Sequence, residues 1–298
     1  MNRLQLVRSQ LWLLILIGII AISFSSIFIR WSEAPVSIIA MYRLFLTALL
    51  LLPLLPKHWP DVKRLSLKDW HLLFWSGLTL GLHFLLWMGS LRYTTVASST
   101  AIMSLEPLLV MLGSFLLFGH RTKASAILGM TIAMIGALLI GWGDWGLEGS
   151  ALYGDVLSFL GTAAVAVHML VGKALREHIS AFVYSFFVFV LAAVVLAFYN
   201  AAAGYSFSAY PPKEWGLFFL LAVVPTLFGH YLFNWLLKYM SATSVSMSVL
   251  GEPVGATLLA FLLLGEPVTW LQAAAGSLLI FGVWLFLTVN EKAKNPSE

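Results

Sequence analysis

Long apolar runs alternate with short polar punctuation along almost the whole chain. A helix crosses the hydrocarbon core of a bilayer in about 20 apolar residues. By that measure ten transmembrane helices are predicted, over residues 11–30, 35–55, 69–91, 96–118, 124–143, 152–173, 180–203, 215–238, 243–264 and 270–290. Breaker residues mark several connections, among them Pro35, Pro56-Lys57-His58-Trp59-Pro60 and Pro211-Pro212. No connection is long enough for a soluble domain, so the expected fold is all-α and integral to the membrane. The first run, Leu11 to Ile29, is too long for a signal-peptide core and lacks a small-residue cleavage site, which makes it an uncleaved span.

Polar residues inside the runs are informative because they recur. Glu106-Pro107 sits in the fourth predicted helix and Glu252-Pro253 in the ninth, 146 residues later. Arg92-Tyr93 and Lys238-Tyr239 keep the same offset, as do Gly119 and Gly265, and Gly136 and Gly282. Lys68-Asp69-Trp70 and Lys213-Glu214-Trp215 are one residue off it. The chain therefore reads as two five-helix halves, residues 1–146 and 147–298. An odd helix count per half inserts the second half upside down relative to the first. Inverted repeats of this kind are typical of secondary transporters, whose substrate site lies near the midplane between the halves.

Composition agrees. Only 10% of residues are charged and 60% are hydrophobic, against about 25% charged in soluble domains. The net charge of +4 would suit a nucleic-acid binder, but here the basic residues segregate by loop. With the N-terminus cytoplasmic, thirteen Lys and Arg fall on the inner side and three (Arg30, Arg92, Lys213) on the outer, so both termini are predicted to be cytoplasmic. The chain has no cysteine, which removes disulfides, thiolate nucleophiles and Cys-bound metals. It also lacks a phosphate-binding glycine loop, a His-Glu-x-x-His metal motif and a Gly-x-Ser-x-Gly elbow. No cofactor, metal or catalytic residue is expected, nor a nucleic-acid partner. The expected partners are a small-molecule solute and the bilayer, with the chain working as a monomer.

The segment Gly81-Leu82-His83-Phe84-Leu85-Leu86-Trp87 running on to Arg92-Tyr93-Thr94-Thr95, then Glu106-Pro107 and Leu117-Phe118-Gly119, resembles the EamA family of the drug/metabolite transporter superfamily. The second copy, Gly251-Glu252-Pro253 to Leu264-Gly265-Glu266-Pro267, is closer to the family pattern. Gly119-His120 departs from it where Gly265-Glu266 follows it, and Arg43 is followed by an aromatic only at Phe45. The resemblance implies a ten-helix exporter of small metabolites, often amino acids, in the bacterial inner membrane. It does not indicate the substrate.

Six side chains are candidates to bind a substrate: His83, Trp87, Glu106, His230, Asn234 and Glu252. A carboxylate at the centre of a membrane helix costs on the order of 2.5–3.5 kcal/mol, so Glu106 and Glu252 need a partner, a proton or a wet cavity. Pro107 and Pro253 cannot donate to the preceding turn and are expected to kink their helices. His83 and Trp87 share a helix face, and His230 and Asn234 repeat the spacing, one residue out of the 146 register. Arg43, Tyr42, Ser98 and His168 are accessory candidates, with Arg43 expected to neutralise Glu106 or to snorkel to the surface. The equally plain reading of these polar residues is structural: histidines and hydroxyls often tie helices together, and Gly129, Ala133, Gly136, Gly141, Ala273, Gly276 and Gly282 are packing residues. An intramembrane enzyme or a flippase working on a lipid-linked substrate is the alternative to transport. Polar residues at matched depth in both halves suit a central path better.

Overall fold

The computed structural model describes residues 3–94, 96–141, 150–265 and 268–292 of the chain. The secondary structure of the described residues is helical, without strands. In chain order the helices are α1 (Arg3–Trp31), α2 (Val36–Leu51), α3 (Leu55–Val62), α4 (Leu67–Ser90), α5 (Val96–Met103), α6 (Glu106–Phe118), α7 (Ala124–Gly141), α8 (Ser150–Arg176), α9 (Ala181–Ala202), α10 (Pro212–Leu221), α11 (Leu232–Leu236), α12 (Ala242–Val249), α13 (Glu252–Leu264) and α14 (Trp270–Lys292). Among the described residues eight segments are long and apolar enough to span a bilayer, and two shorter apolar helices, Glu106–Phe118 and Ala124–Leu139, lie between them. Large apolar side chains such as Leu116, Leu262 and Phe198 are turned outward, which is stable where the surroundings are lipid.

Three of the predicted helices are not continuous. The second runs through a 3₁₀ turn, Leu52–Leu54, into α3, with Pro53 and Pro56 each in the first turn of the element it opens. The fourth breaks between α5 and α6, and the ninth between α12 and α13. The sequence pattern predicts kinks at Pro107 and Pro253 within continuous helices, and these kinks are not found. Instead each lies in the first turn of a new helix, where its missing N–H has no intrahelical partner to lose. Both new helices end at a left-handed glycine, Gly119 at φ 66° and Gly265 at φ 68°, a conformation that side chains with a Cβ adopt at a cost. The repeat is thus visible as the same break, helix and cap twice.

In the eighth predicted helix, residues Ala222–Tyr231 form a π-helix between α10 and α11. A π turn takes more residues than an α turn, so it absorbs an insertion without displacing the residues beyond it. Across it the offset between the repeats lengthens from 145 at Lys213-Glu214-Trp215 to 147 at His230 and Asn234, before returning to 146 at Lys238-Tyr239.

Several of the main helix contacts come in corresponding pairs. The long α4 lies along α8, and the α10–α11 stretch lies along α1; α6 packs on α8 and α13 on α1; α2 packs on α9, and α7 on α14. Exchanging the halves maps this set onto itself. The α7–α14 pair is closest because its glycines face backbone: a Cβ on Gly282 would stand 2.3 Å from the Ala133 nitrogen, and one on Gly136 2.6 Å from the Leu279 nitrogen. Gly276 has no such role, since a Cβ there would make ordinary contact with Val254. Gly141 is the last residue of α7, and its surroundings lie outside the described residues.

The helix starts are built in the same paired way. Ser66 caps α4 through a reciprocal box with Asp69, whose other oxygen accepts from His178 Nε2 at 2.9 Å. Glu214, the counterpart of Asp69, accepts from the Glu33 N–H at 2.9 Å and from the Ser32 hydroxyl. Each carboxylate therefore fastens the start of a helix in one half of the chain to a loop in the other.

Candidate functional site

The two helix breaks face each other, with α12 packed on α6. A buried cavity beside them is lined by all six of the binding candidates, His83, Trp87, Glu106, His230, Asn234 and Glu252. The accessory candidate His168 lines it too, with Ser25, Phe84 and Phe233. These side chains come from α1, α4, α6, α8, the π segment, α11 and α13, and so from both halves of the chain. The cavity measures only ≈ 40 Å³, room for a few waters. A smaller space adjoins it between the breaks, lined by Thr100, Ser246, Glu106 and Glu252.

Each polar group has a defined anchor. Glu106 is 3% exposed and accepts a 2.7 Å hydrogen bond from the Ser246 hydroxyl on α12. Glu252 is half-buried, and its backbone carbonyl lies 3.4 Å from the Ser23 hydroxyl of α1. His83 Nδ1 lies 3.0 Å from the Gly161 carbonyl. A carbonyl only accepts, so Nδ1 carries the proton and Nε2 is left to accept in the neutral ring. The His83 and Trp87 rings lie parallel, 5.9 Å apart with 1° between their planes. Trp87 Nε1 is a buried donor without a protein partner. Phe84 stands edge-on to His230 at 5.1 Å. His168 contacts the Ser76 hydroxyl at 2.9 Å, and Asn234 donates to Ser185 Oγ at 3.2 Å.

Arg43 corrects the sequence-based expectation. It neither snorkels nor pairs with Glu106. The side chain is fully buried and donates from Nε to Thr226 Oγ1 at 3.0 Å and from one terminal nitrogen to Ser25 Oγ at 3.1 Å. Its guanidinium lies 4.3 Å over the Phe84 ring, and its other terminal nitrogen has no partner. Arg43 thus stands behind the cavity wall, holding Ser25 and Phe84 in place. Tyr42 is also outside the cavity: it lines an apolar groove between α2 and α9 and bonds the Phe207 carbonyl. The Ser98 side chain lies outside the described residues. Of the other hydroxyls, Ser99 bonds Ser90 and Ser158, tying helices together, and Ser23 bonds its own backbone.

In the sequence Arg176 and Lys173 read only as inner-side charge. In the structure Arg176 is 2% exposed at the end of α8, and its Nε donates to the Asn234 carbonyl at 2.9 Å, with a terminal nitrogen 3.5 Å from the Trp235 carbonyl. Another terminal nitrogen donates to Ile179 of its own segment. Lys173 Nζ donates to the Leu237 carbonyl at 3.0 Å. Two cations therefore cap the C-terminal carbonyls of α11, groups that a helix leaves unsatisfied. The sequence carries a signal for this, since Arg30 stands 146 residues before Arg176. At the opposite end of the bundle Arg92 donates to the Ala34 carbonyl at 3.2 Å.

The arrangement defines an integral membrane protein with a small polar cavity at the meeting of two broken helices. The chain belongs to the EamA-like transporter family, whose pattern it matches over residues 10–142 and again over 152–288. It is similar to the uncharacterized transporter YetK of Bacillus subtilis, with 28% identity over 216 residues, 69% of this chain and 63% of that protein. The match thus spans less than two thirds of the Bacillus protein's length. An uncharacterized transporter of Archaeoglobus fulgidus is 25% identical over 226 residues, 75% of this chain and 79% of its own. A protein crystal structure shares the fold with a TM-score of 0.78 at 17% identity, over 95% of this chain and 98% of the other.

Proposed function

We propose that the protein is a secondary transporter that exports small amphipathic metabolites, amino acids or related solutes, across the bacterial inner membrane by alternating access. The ten predicted crossings would form two inverted halves, 1–146 and 147–298, with both termini cytoplasmic. The two separate family matches and the half-exchanging packing support that division. The observation that carries the reading is the cavity itself: six polar or aromatic side chains drawn from both halves meet on one buried surface. His83, Trp87, Glu106, His230, Asn234 and Glu252 bind the solute in this scheme. The unpartnered Trp87 N–H and the two carboxyls supply donor and acceptor, and Phe84 and Phe233 supply apolar area. With room for only a few waters, the described conformation is a closed one, and a solute enters when one end parts.

Efflux of radiolabelled amino acids from loaded proteoliposomes tests this. Trp87→Ala and His83→Ala are expected to reduce it at least tenfold, and unchanged efflux in both variants would exclude this site. Proton coupling is a further part of the proposal, with Glu106 or Glu252 as carrier. It requires efflux to follow an imposed pH gradient, and efflux indifferent to the gradient makes the protein an uncoupled carrier. An enzyme or flippase acting on lipid-linked substrates gains no support from a site whose polar groups face a central cavity rather than one leaflet.

A further inference from the structure

A large apolar groove lies away from the central cavity, between α2 and α9. Its volume of ≈ 440 Å³ is within the range of small-molecule sites. Its walls are Phe45, Leu49 and Leu52 on the α2 side and Val190, Val194 and Ala197 on α9, and the surface lining it is almost wholly apolar. Tyr42 and Leu52 mark its ends, ten residues apart on a helical path. At 1.5 Å per residue that is about 15 Å, close to one leaflet's share of a hydrocarbon core about 30 Å thick.

The two ends differ. At one, the Tyr42 hydroxyl donates to the Phe207 carbonyl, so the 203–211 connection roofs the groove. At the other, the chain leaves Leu52 through the 3₁₀ turn into α3, which packs across α9. His58 of α3 stacks on Phe182 at 4.3 Å, one helical turn below the groove-lining Phe186. The amphipathic α3 therefore forms the sill of the groove, with Trp59 half exposed. Lys57, Lys63 and Arg64 are exposed around that sill, three cations against the single carboxylate of Asp61, which lies 3.6 Å from His58 Nδ1.

We propose that this groove and its basic sill form a binding site for an anionic phospholipid, one acyl chain lying between α2 and α9 and the headgroup phosphate on Lys57, Lys63 and Arg64. Apolar walls alone would accept any lipid; the cations at the open end and the closed roof at the other select a negative headgroup and one direction of entry. Each basic residue near such a headgroup contributes roughly fivefold in affinity. This site is independent of the central cavity and of the transport reading.

The test uses the full-length protein in detergent, titrated with phosphatidylglycerol or with phosphatidylcholine of identical palmitoyl and oleoyl chains, and followed by native mass spectrometry and thermal midpoint. Phosphatidylglycerol is expected to bind at least tenfold more tightly. The combined K57A, K63A and R64A variant should lose that preference and retain weak binding of both lipids. The groove-filling Ala197→Phe should weaken both lipids while its midpoint without added lipid stays at that of the parent. Equal binding of the two lipids by the parent would overturn the proposal, as would a preference that survives the triple variant or a binding unaffected by Ala197→Phe.

Discussion

If the protein works by alternating access as proposed, Arg176→Ala is expected to loosen the end of the bundle where Arg176 bridges α8 and α11. Two of its acceptors lie across the seam from α8, the Asn234 carbonyl at 2.9 Å and the Trp235 carbonyl at 3.5 Å, whereas the Ile179 carbonyl belongs to its own side. A hydrogen bond from a charged donor contributes about 1.5–3 kcal/mol net. Counting the shorter contact in full and discounting the longer one leaves roughly 2 kcal/mol, or about a thirtyfold rise in the open population. Lys173 still holds the Leu237 carbonyl, so the end loosens rather than falls apart. The chain has no cysteine, which makes single-cysteine labelling free of background. Val165→Cys puts a thiol on the cavity wall without touching its hydrogen bonds. Labelling by a membrane-impermeant maleimide, applied to either face of sealed vesicles, then reads access from each end. From the Arg176 end the rate should rise by an order of magnitude or more in Arg176→Ala and less in Arg176→Lys, which keeps a cation. An unchanged rate in a variant that remains folded would refute the role of Arg176 as a closure.

Two further predictions concern stability. Gly282→Ala should lower the melting temperature, because the added methyl meets backbone 2.3 Å away on α7, and overpacking of about 1–3 kcal/mol exceeds the helix-propensity gain of up to about 1 kcal/mol. Gly216→Ala on α10 is the control, with nothing within 4 Å of its new methyl, and should raise the melting temperature; equal responses would mean that α7 and α14 part easily. Ser66→Ala removes the acceptor for the Asp69 N–H at 3.2 Å and should cost about 1 kcal/mol in thermal or denaturant unfolding, with a loss near zero showing that the His178 contact alone holds the start of α4.

What the sequence reveals here is set by how each interaction is encoded. Apolar spans are legible because bilayer thickness acts on contiguous residues, whereas the Glu-Pro pairs read as kinks and prove to be breaks that start new helices. The six cavity residues are legible for the same reason, since His-x-x-x-Trp and His-x-x-x-Asn, with the two Glu-Pro pairs, stand out against an apolar ground. Arg43 misleads because its partners, Thr226 and Ser25, are remote in the chain and individually unremarkable. The hydroxyl that holds Glu106 is hidden likewise: Ser246 is one of several serines on α12, and only the packing of α12 on α6 selects it. The Glu106 and Glu252 carboxyls look equivalent in sequence, yet the first is buried and held by the Ser246 hydroxyl, while the second is half-buried and meets Ser23 through its backbone carbonyl. Two like helix breaks thus hold their carboxyls differently. If transport is coupled to protons, that asymmetry makes Glu106 and Glu252 inequivalent, so that Glu106→Gln and Glu252→Gln should impair efflux to different degrees.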